Sequence, residues 1–435
     1  MDRISNLSDD LLLKILSELR PKDVIATTLL SKRWKFFWTM VPRLDFNDKC
    51  EHNLSKFGSF RKYVDRSMVL HRAPVLQSLK FEVGPCCSSE DIATWIRIGM
   101  VRYVPELQIF PCDEYFEKDS TTIKLPKSLY TYEKLEVLKL AYNVIVDVPI
   151  DVCFPSLKAL HLVCVEFKTK ESHRKLLSGC PVLEELVLDK TKNSDYMRSF
   201  YVEMPTLQRL SILDRCDTIN FGENGLHKIV INVPSVKYLN FVDFYGDLCL
   251  CENMPQVIEA KVKVVYESPK KLLESLPSVQ NLYLCLNASM LQHRIVFYHL
   301  VHLELCQDSP EWWDLLTWML DSSPKLQVLK LDKCNERPCF VTDIEGHWEG
   351  PSTVPDCLLS HLYTFEWKYY NGREEEKKVV AYILKNARQL KTAAFSAQSL
   401  SLEEERSLKL KELVSLPRAS SSCKLLTYDG RRGDC

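Results

Sequence analysis

Read for the alternation of apolar and polar positions, the chain begins in a helical rhythm. Leu11, Leu12, Ile15, Leu16 and Leu19 recur on one face of a first helix, which Ser8 is placed to cap and Leu7 to staple onto Leu12. Arg20-Pro21 stops that helix, and Pro21 suits the first turn of a second that carries Val24 to Leu30. Trp34, Phe37, Trp38 and Val41 give a third helix an aromatic stripe at i, i+3, i+4 and i+7. Three helices within roughly 40 residues cannot bury that much apolar surface among themselves. Part of it must dock on another chain or on the domain that follows. Phe57, Phe60, Tyr63, Val64 and Met68 predict a joining helix, and the absence of a Gly/Ser linker predicts rigid docking.

From about residue 75 the rhythm changes to a short phrase, apolar-x-x-apolar-x-apolar. It recurs at Leu76–Phe81, Val104–Ile109, Leu135–Leu140, Leu157–Leu162, Leu183–Leu188, Leu207–Ile212, Val236–Phe241, Val257–Val262, Val279–Leu284, Leu300–Leu305 and Leu326–Leu331. Successive starts lie 21 to 31 residues apart, the period of irregular leucine-rich repeats. Proline often stands two places before the phrase. The fourth and sixth residues lie two apart, so in a strand they point to one face, inward, and neighbouring strands must stack in parallel to share that row. The fifth residues point the other way, onto a concave sheet: Lys80, Gln108, Lys139, His161, Val187, Ser211, Asn240, Lys261, Tyr283, Glu304 and Lys330. Glu171 to Leu177 and Ser309 to Leu320 read as helices of the outer wall, with Trp312, Trp313, Leu316 and Met319 as wall packing.

After Cys334 the phrase gives way to a polar stretch, Asn335 to Pro355, that reads as a long surface loop. A strand from Leu362 to Trp367 follows, then a turn at Asn371-Gly372. Next comes a helix whose buried face is Val380, Ile383, Leu384, Ala387 and Leu390. Ser401 and Glu404 fit a capping box for a last helix, and Cys423 to Tyr428 a final strand. The fold class is α/β. A three-helix unit precedes an irregular leucine-rich-repeat solenoid with a parallel sheet on its concave face, and a C-terminal α+β block covers the open edge.

Charge narrows the function classes. Lysine plus arginine (57) balance aspartate plus glutamate (58), so no global field draws the chain to nucleic acid or to a membrane. Seventeen cysteines without one Cys-x-x-Cys, behind an N-terminus unlike a secretory signal, predict reduced thiols in cytoplasm or nucleus and a protein that is not secreted. Most, such as Cys153, Cys164, Cys285 and Cys306, sit beside apolar residues where cysteine packs as a small hydrophobe. The 12 glycines never cluster as a phosphate loop requires, and neither a Gly-x-Ser-x-Gly elbow nor a His-Glu-x-x-His occurs. His293, His299, His302 and Cys306 fit no familiar zinc spacing. No catalytic residue, metal or cofactor is assigned.

The order Ile4, Leu7, Asp9-Asp10, Leu12, Ile15-Leu16, Leu19, Lys22-Asp23, Leu30-Ser31-Lys32-Arg33-Trp34 and Trp38 closely resembles an F-box of the plant type, over residues 1–46. Val354-Pro-x-Cys357-Leu, Leu384-Lys-Asn-Ala387, Leu390-Lys391 and Leu416 to Cys423 resemble the FBD domain of plant proteins, over about residues 354–428. The resemblance divides the chain into an F-box (1–48), a leucine-rich-repeat solenoid (49–345) and an FBD-type domain (346–435). It implies docking on the Skp-type adaptor of a cullin–RING ubiquitin ligase through Leu7, Leu11, Ile15, Leu16, Leu19, Val24, Leu30, Trp34 and Trp38. A target protein is then presented on the strip from Lys139 to Lys330, and the chain itself is not an enzyme. Ser8 stands where the family usually has proline, which removes one apolar contact with the adaptor. The alternatives are a non-catalytic repeat scaffold whose first segment is a mere cap, and a small-molecule sensor without ligase coupling.

Overall fold

The apolar phrases become parallel strands in strict register. The computed structural model describes residues 7–19, 21–27, 29, 33–48, 57–73, 75–84, 87–111, 122–190, 199–214, 228–243, 248–252, 254–264, 269–286, 295–307, 312–333, 347–397 and 412–429. They fall into two units, Met1–Val202 and Glu203–Cys435. In the first, strands Arg43–Asn47, Ser78–Val83, Glu106–Pro111, Val137–Ala141, Ala159–Val163 and Glu185–Lys190 pair in that order, each parallel to the next. In the second, Arg209–Asp214, Tyr238–Asp243, Glu259–Val264, Asn281–Leu286, His302–Cys306, Val328–Asp332, Thr364–Tyr370, Thr392–Ala397 and Lys424–Asp429 do the same. The fourth and sixth residues of all eleven phrases are at most 3 % exposed, and so are the first residues that enter from the preceding turn. Burial of that shared row is what holds the strands together.

Two further strands carry the same phrase: the expected one from Leu362 to Trp367, and an unexpected one at Leu390 to Phe395, because the helix before it ends at Asn386 and leaves Ala387 and Leu390 outside its buried face. Leu362, Phe365 and Trp367, then Leu390, Ala393 and Phe395, are buried in the same places of the pattern. The FBD-type block therefore covers the edge of Val328–Asp332 by continuing the sheet in parallel. In the first unit Val41, Leu44 and Phe46 are buried likewise, so the first strand lies within the span assigned to the F-box. The expected turn at Asn371-Gly372 is present, with Gly372 in the left-handed region at φ 70°.

The segments between strands are mixed. Helices α1 (Asp9–Ser17), α2 (Pro21–Thr27) and α3 (Trp34–Phe37) form the N-terminal group, and a 3₁₀ turn at Trp38–Met40 ends it. Helices α4 (Phe57–Leu70) and α5 (Ser89–Val101) precede the second and third strands. Ser88 and Asp91 close a capping box at the start of α5, and a Cβ on Gly99 would meet Leu79 Cδ2 at 2.7 Å, so a larger residue there would have to push that side chain aside. The expected wall helices are α6 (Ser172–Ser178) and, in the second unit, α8 (Trp312–Ser322), which follows the short α7 (Lys270–Glu274). Trp312, Trp313, Leu316 and Met319 are buried as wall packing, with Trp312 edge-on to Trp367 at 5.8 Å. Elsewhere the return is a short strand instead. Ile123–Lys124, Val144–Val146 and Glu166–Phe167 form one small sheet, and Lys228–Asn232 pairs with Leu248–Cys251 in another. Two to five residues suffice for such a strand but not for a helical turn with a buried face.

The stretch read as a surface loop needs correction at Trp348. Its indole is buried edge-on to Tyr382 of α10 (Glu374–Asn386), which follows α9 (Asp356–Ser360), and its N–H donates to Thr317 Oγ1 at 3.0 Å. Its backbone N–H donates to Glu375, whose carboxyl is held down to about 2 by Lys378 first and by this bond second. A single tryptophan thus pins the segment across α8 and α10. The expected last helix start at Ser401 and Glu404 lies outside the described residues. Among the cysteines, Cys180 and Cys357 are buried, with thiols pushed up to about 12 by burial, whereas Cys153 is exposed rather than packed. Among the described residues no helix is long and apolar enough to cross a membrane.

Two histidines make the first unit sensitive to acid. His71 Nε2 donates to the Val41 carbonyl at 2.8 Å, and burial, then Arg102, lowers its pKa to about 4. His173 stacks on Phe200 at 4.5 Å, and burial, then Arg174, lowers it to about 4 as well. The unfolded chain takes both protons near pH 6.5 and the folded chain only near pH 4, so acid favours the unfolded state. The melting temperature should fall as pH drops from 6.5 to 4, and His173→Phe should flatten that slope. A pH-independent melting curve over this window would contradict the assignment.

Candidate functional site

Two surfaces answer to the sequence reading. The first is the N-terminal helix group. Ser8 caps α1 by accepting from the Leu11 N–H at 3.4 Å, and its extended backbone (φ −62°, ψ 154°) sets the start of the helix. Arg33 crosses to that end of α1, donating to the Leu7 carbonyl at 2.9 Å and pairing with Asp9. Its guanidinium also lies 5.6 Å from the Phe37 ring. The helix start is thus tied to the third helix by a side chain rather than by a proline.

Of the nine residues expected at the adaptor, three are buried, two are partly buried, three are exposed and one lies outside the described residues. Leu16, Val24 and Trp34 are buried with Leu12, Phe37 and Val41 in one small core, against which Leu7, Leu13 and Trp38 are partly buried. Those three therefore shape the surface from beneath and do not present it. Leu11 and Ile15 are 50 % and 42 % exposed, and Leu19 is exposed beside them. Leu30 lies outside the described residues. Leu29, Phe36 and Met40 are exposed as well and were missed. The signal was available for Phe36, because it falls off the i, i+3, i+4 stripe that Trp34, Phe37 and Trp38 define.

The group is joined to the sheet by hydrogen bonds, as expected of a docked element. The Thr39 carbonyl accepts from the N–H of Arg72 at 2.6 Å and of Ala73 at 3.1 Å, and the Pro42 carbonyl from Gln77 at 2.7 Å. Arg102 donates to the carbonyls of His71 and Ala73 at 2.7 and 2.8 Å. Beneath, Phe46, Phe81 and Trp95 stack in turn at 5.6 and 5.4 Å.

The second surface is the row of fifth residues. In the first unit Lys80, Gln108, Lys139, His161 and Val187 stand opposite one another across successive strands, and Asp45 extends the row upstream. In the second unit Ser211, Asn240, Lys261, Tyr283, Glu304 and Lys330 do so, followed by Glu366, Ala394 and Leu426. All the members named in the sequence are half-exposed. Neighbouring groups moderate the charge. His161 bonds Glu185 at 2.7 Å, and burial lowers its pKa. Lys261 lies 5.1 Å from the Tyr283 ring, Lys330 pairs with Glu366 at 3.8 Å, and Lys368 pairs with Asp332 at 2.6 Å. Tyr428 on the last strand donates to Glu366. Glu304 has no ion pair among the described residues, and burial, then Asp332, raises its pKa. Asn240 keeps a buried Oδ1 without a partner among them.

Comparison with known proteins gives these surfaces a context. The F-box domain model matches residues 4–46, the model for the leucine-rich repeats of an FBD-associated F-box protein matches 92–237, and the FBD model matches 349–395. A putative FBD-associated F-box protein of Arabidopsis thaliana is 66 % identical, over 98 % of this chain and 100 % of its own length. Two F-box/FBD/LRR-repeat proteins of the same plant are 42 % and 44 % identical, each over 98 % of this chain, and over 98 % and 100 % of their own lengths.

If the fifth-residue row is surface and the fourth and sixth are core, stability separates them. Glu304→Ala and Lys330→Ala should each cost less than about 1 kcal/mol. Leu329→Ala, on the other face of the same strand as Lys330, should cost about 2–5 kcal/mol. Urea unfolding of the three variants measures both, and equal losses would make the row structural.

Proposed function

Because this chain belongs to the plant F-box proteins that carry leucine-rich repeats and an FBD domain, we propose that it is the substrate-receptor subunit of a Skp–cullin–F-box ubiquitin ligase. The F-box docks the Skp-type adaptor, and the sheet face holds a target protein. The action is one of proximity: a target lysine held near a charged ubiquitin carrier meets it at a raised effective concentration. The chain makes and breaks no bond itself.

The observation that carries this reading is the division of the F-box leucines. Leu12 and Leu16 fill the core while Leu11 and Ile15 on the same helix, and Leu19 just past its end, stay open. A segment serving only as a cap for the repeats would turn those side chains onto its own chain, and exposed apolar clusters of this kind mark interfaces. The arrangement also decides which variants are informative. Leu16→Asp and Trp34→Ala strike the small core and should unfold the F-box, so lost binding would say nothing of contact. Leu11→Asp with Ile15→Asp should leave helix content and melting unchanged and abolish co-purification of the adaptor. Retained adaptor in that pull-down would defeat the proposal.

A further inference from the structure

Beyond the F-box, the first unit exposes apolar side chains where a lone solenoid has no use for them. Val69 and Val101, the last or nearly last residues of α4 and α5, are 79 % and 78 % exposed, and Leu70, Val75 and Tyr103 are exposed beside them. Hydrogen bonds bring these ends to one place. Arg102 binds the carbonyls of His71 and Ala73, and the Leu76 N–H donates to the Arg102 carbonyl at 3.4 Å. The Thr39 carbonyl holds Arg72 and Ala73, which sets Met40, exposed in the last turn of the F-box, next to the exit of α4. The exposed apolar ends of α4 and α5 therefore lie beside the last turn of the F-box.

Tyr103 adds an independent sign. It ends α5 in the left-handed region at φ 56°, with its N–H donating to Met100 and that of Val104 to Gly99, a position that glycine ordinarily fills. A tyrosine there accepts backbone strain and still turns its ring to solvent. The rim is basic. Arg66 lies three and four residues before Val69 and Leu70, and Arg97 four before Val101, so each shares a helix face with its apolar neighbour. Arg66, Arg72 and Arg97 are exposed and make no ion pair among the described residues.

We propose that the adaptor contact extends past the F-box onto Val69, Leu70, Val101 and Tyr103, which take an apolar segment of the same Skp-type adaptor flanked by carboxylates. This rests on the ligase reading above and adds a second contact to it. Adjacency to the F-box favours the adaptor over other occupants, and the arginine rim sets the charge of the segment that fits.

The test is the affinity of a recombinant Skp-type adaptor for the full chain, by titration calorimetry at two salt concentrations. Val69→Asp with Val101→Asp should weaken binding about tenfold while circular dichroism and melting stay unchanged. Leu11→Asp with Ile15→Asp should abolish it. Affinity within about twofold of the parent in the first variant overturns this inference and leaves the ligase reading standing. Binding by the second variant overturns the ligase reading itself. If the aspartate pair fails to fold, Arg66→Glu with Arg97→Glu replaces it, and should both weaken binding and reduce its salt dependence. Unchanged affinity and salt slope there overturn the inference equally. So does loss of self-association in sedimentation with adaptor affinity intact, which would assign the patch to a second copy of the chain.

Discussion

A single repeat of this chain cannot bury its own apolar row, and nearly everything else follows from that. Leu138 and Leu140 project from one side of a five-residue strand, and only the strands on either side can supply the rest of their surroundings. Stacking in parallel and in register answers the need, because it lines up all fourth and sixth residues at once. The open row of fifth residues is a by-product of the same register. Its side chains stand opposite one another because their buried neighbours do, whatever their own chemistry.

The same constraint explains an end of the stack in each unit. A stack needs an end strand, and in each unit the flanking domain lends one, the F-box in the first and the FBD-type block in the second. Val41-Pro-Arg-Leu44-Asp-Phe46 repeats the phrase directly out of the last turn of the F-box, and its Phe46 stacks on Phe81. In the second unit the FBD-type block contributes two full phrases, and then the pattern dissolves. The last strand, Lys424–Asp429, has Leu425 only partly covered and Leu426 exposed. A final strand has a neighbour on one side only, so an apolar row there gains half the burial.

The fold was legible in the sequence where a rule repeats, and obscure where one instance stands alone. Eleven phrases revealed the strands, their direction and the face each residue takes, because period-two patterning admits a single solution once one side is buried. Val41–Phe46, Leu362–Trp367 and Leu390–Phe395 obey the same rule. Leu362–Trp367 was legible as a strand; Val41–Phe46 and Leu390–Phe395 were hidden because each follows a stretch with a stronger local signal, the aromatic helix or the charged helix of the FBD-type block. The short return strands, such as Val144–Val146, were not legible, since three residues carry no period. Trp348 was read as loop because its neighbours are polar, while its own burial depends on Thr317 and Tyr382, which are distant in sequence. In the F-box, helical spacing correctly placed Leu11, Leu12, Ile15 and Leu16 on one broad face. It does not say which of them the other two helices cover; that needs the crossing of Trp34 and Phe37 over the inner pair.

Rigid attachment is what turns these separate features into one device. An F-box on a loose tether would hold any partner at a distance that varies with the chain, and the effective concentration of a presented group falls steeply as the tether lengthens. Here the Thr39 and Pro42 carbonyls, the His71 ring and the Arg102 guanidinium are all spent on the seam between the last turn of the F-box and the first strands. Each bond is accepted by a backbone carbonyl, a group that needs a partner once it is buried. The joint is thus made from groups that had to be satisfied in any case, and stiffness comes with their satisfaction. A first strand that emerges from the F-box without a linker has no freedom to swing, so a partner bound at Leu11 and Ile15 is held in fixed relation to the open face of the first unit.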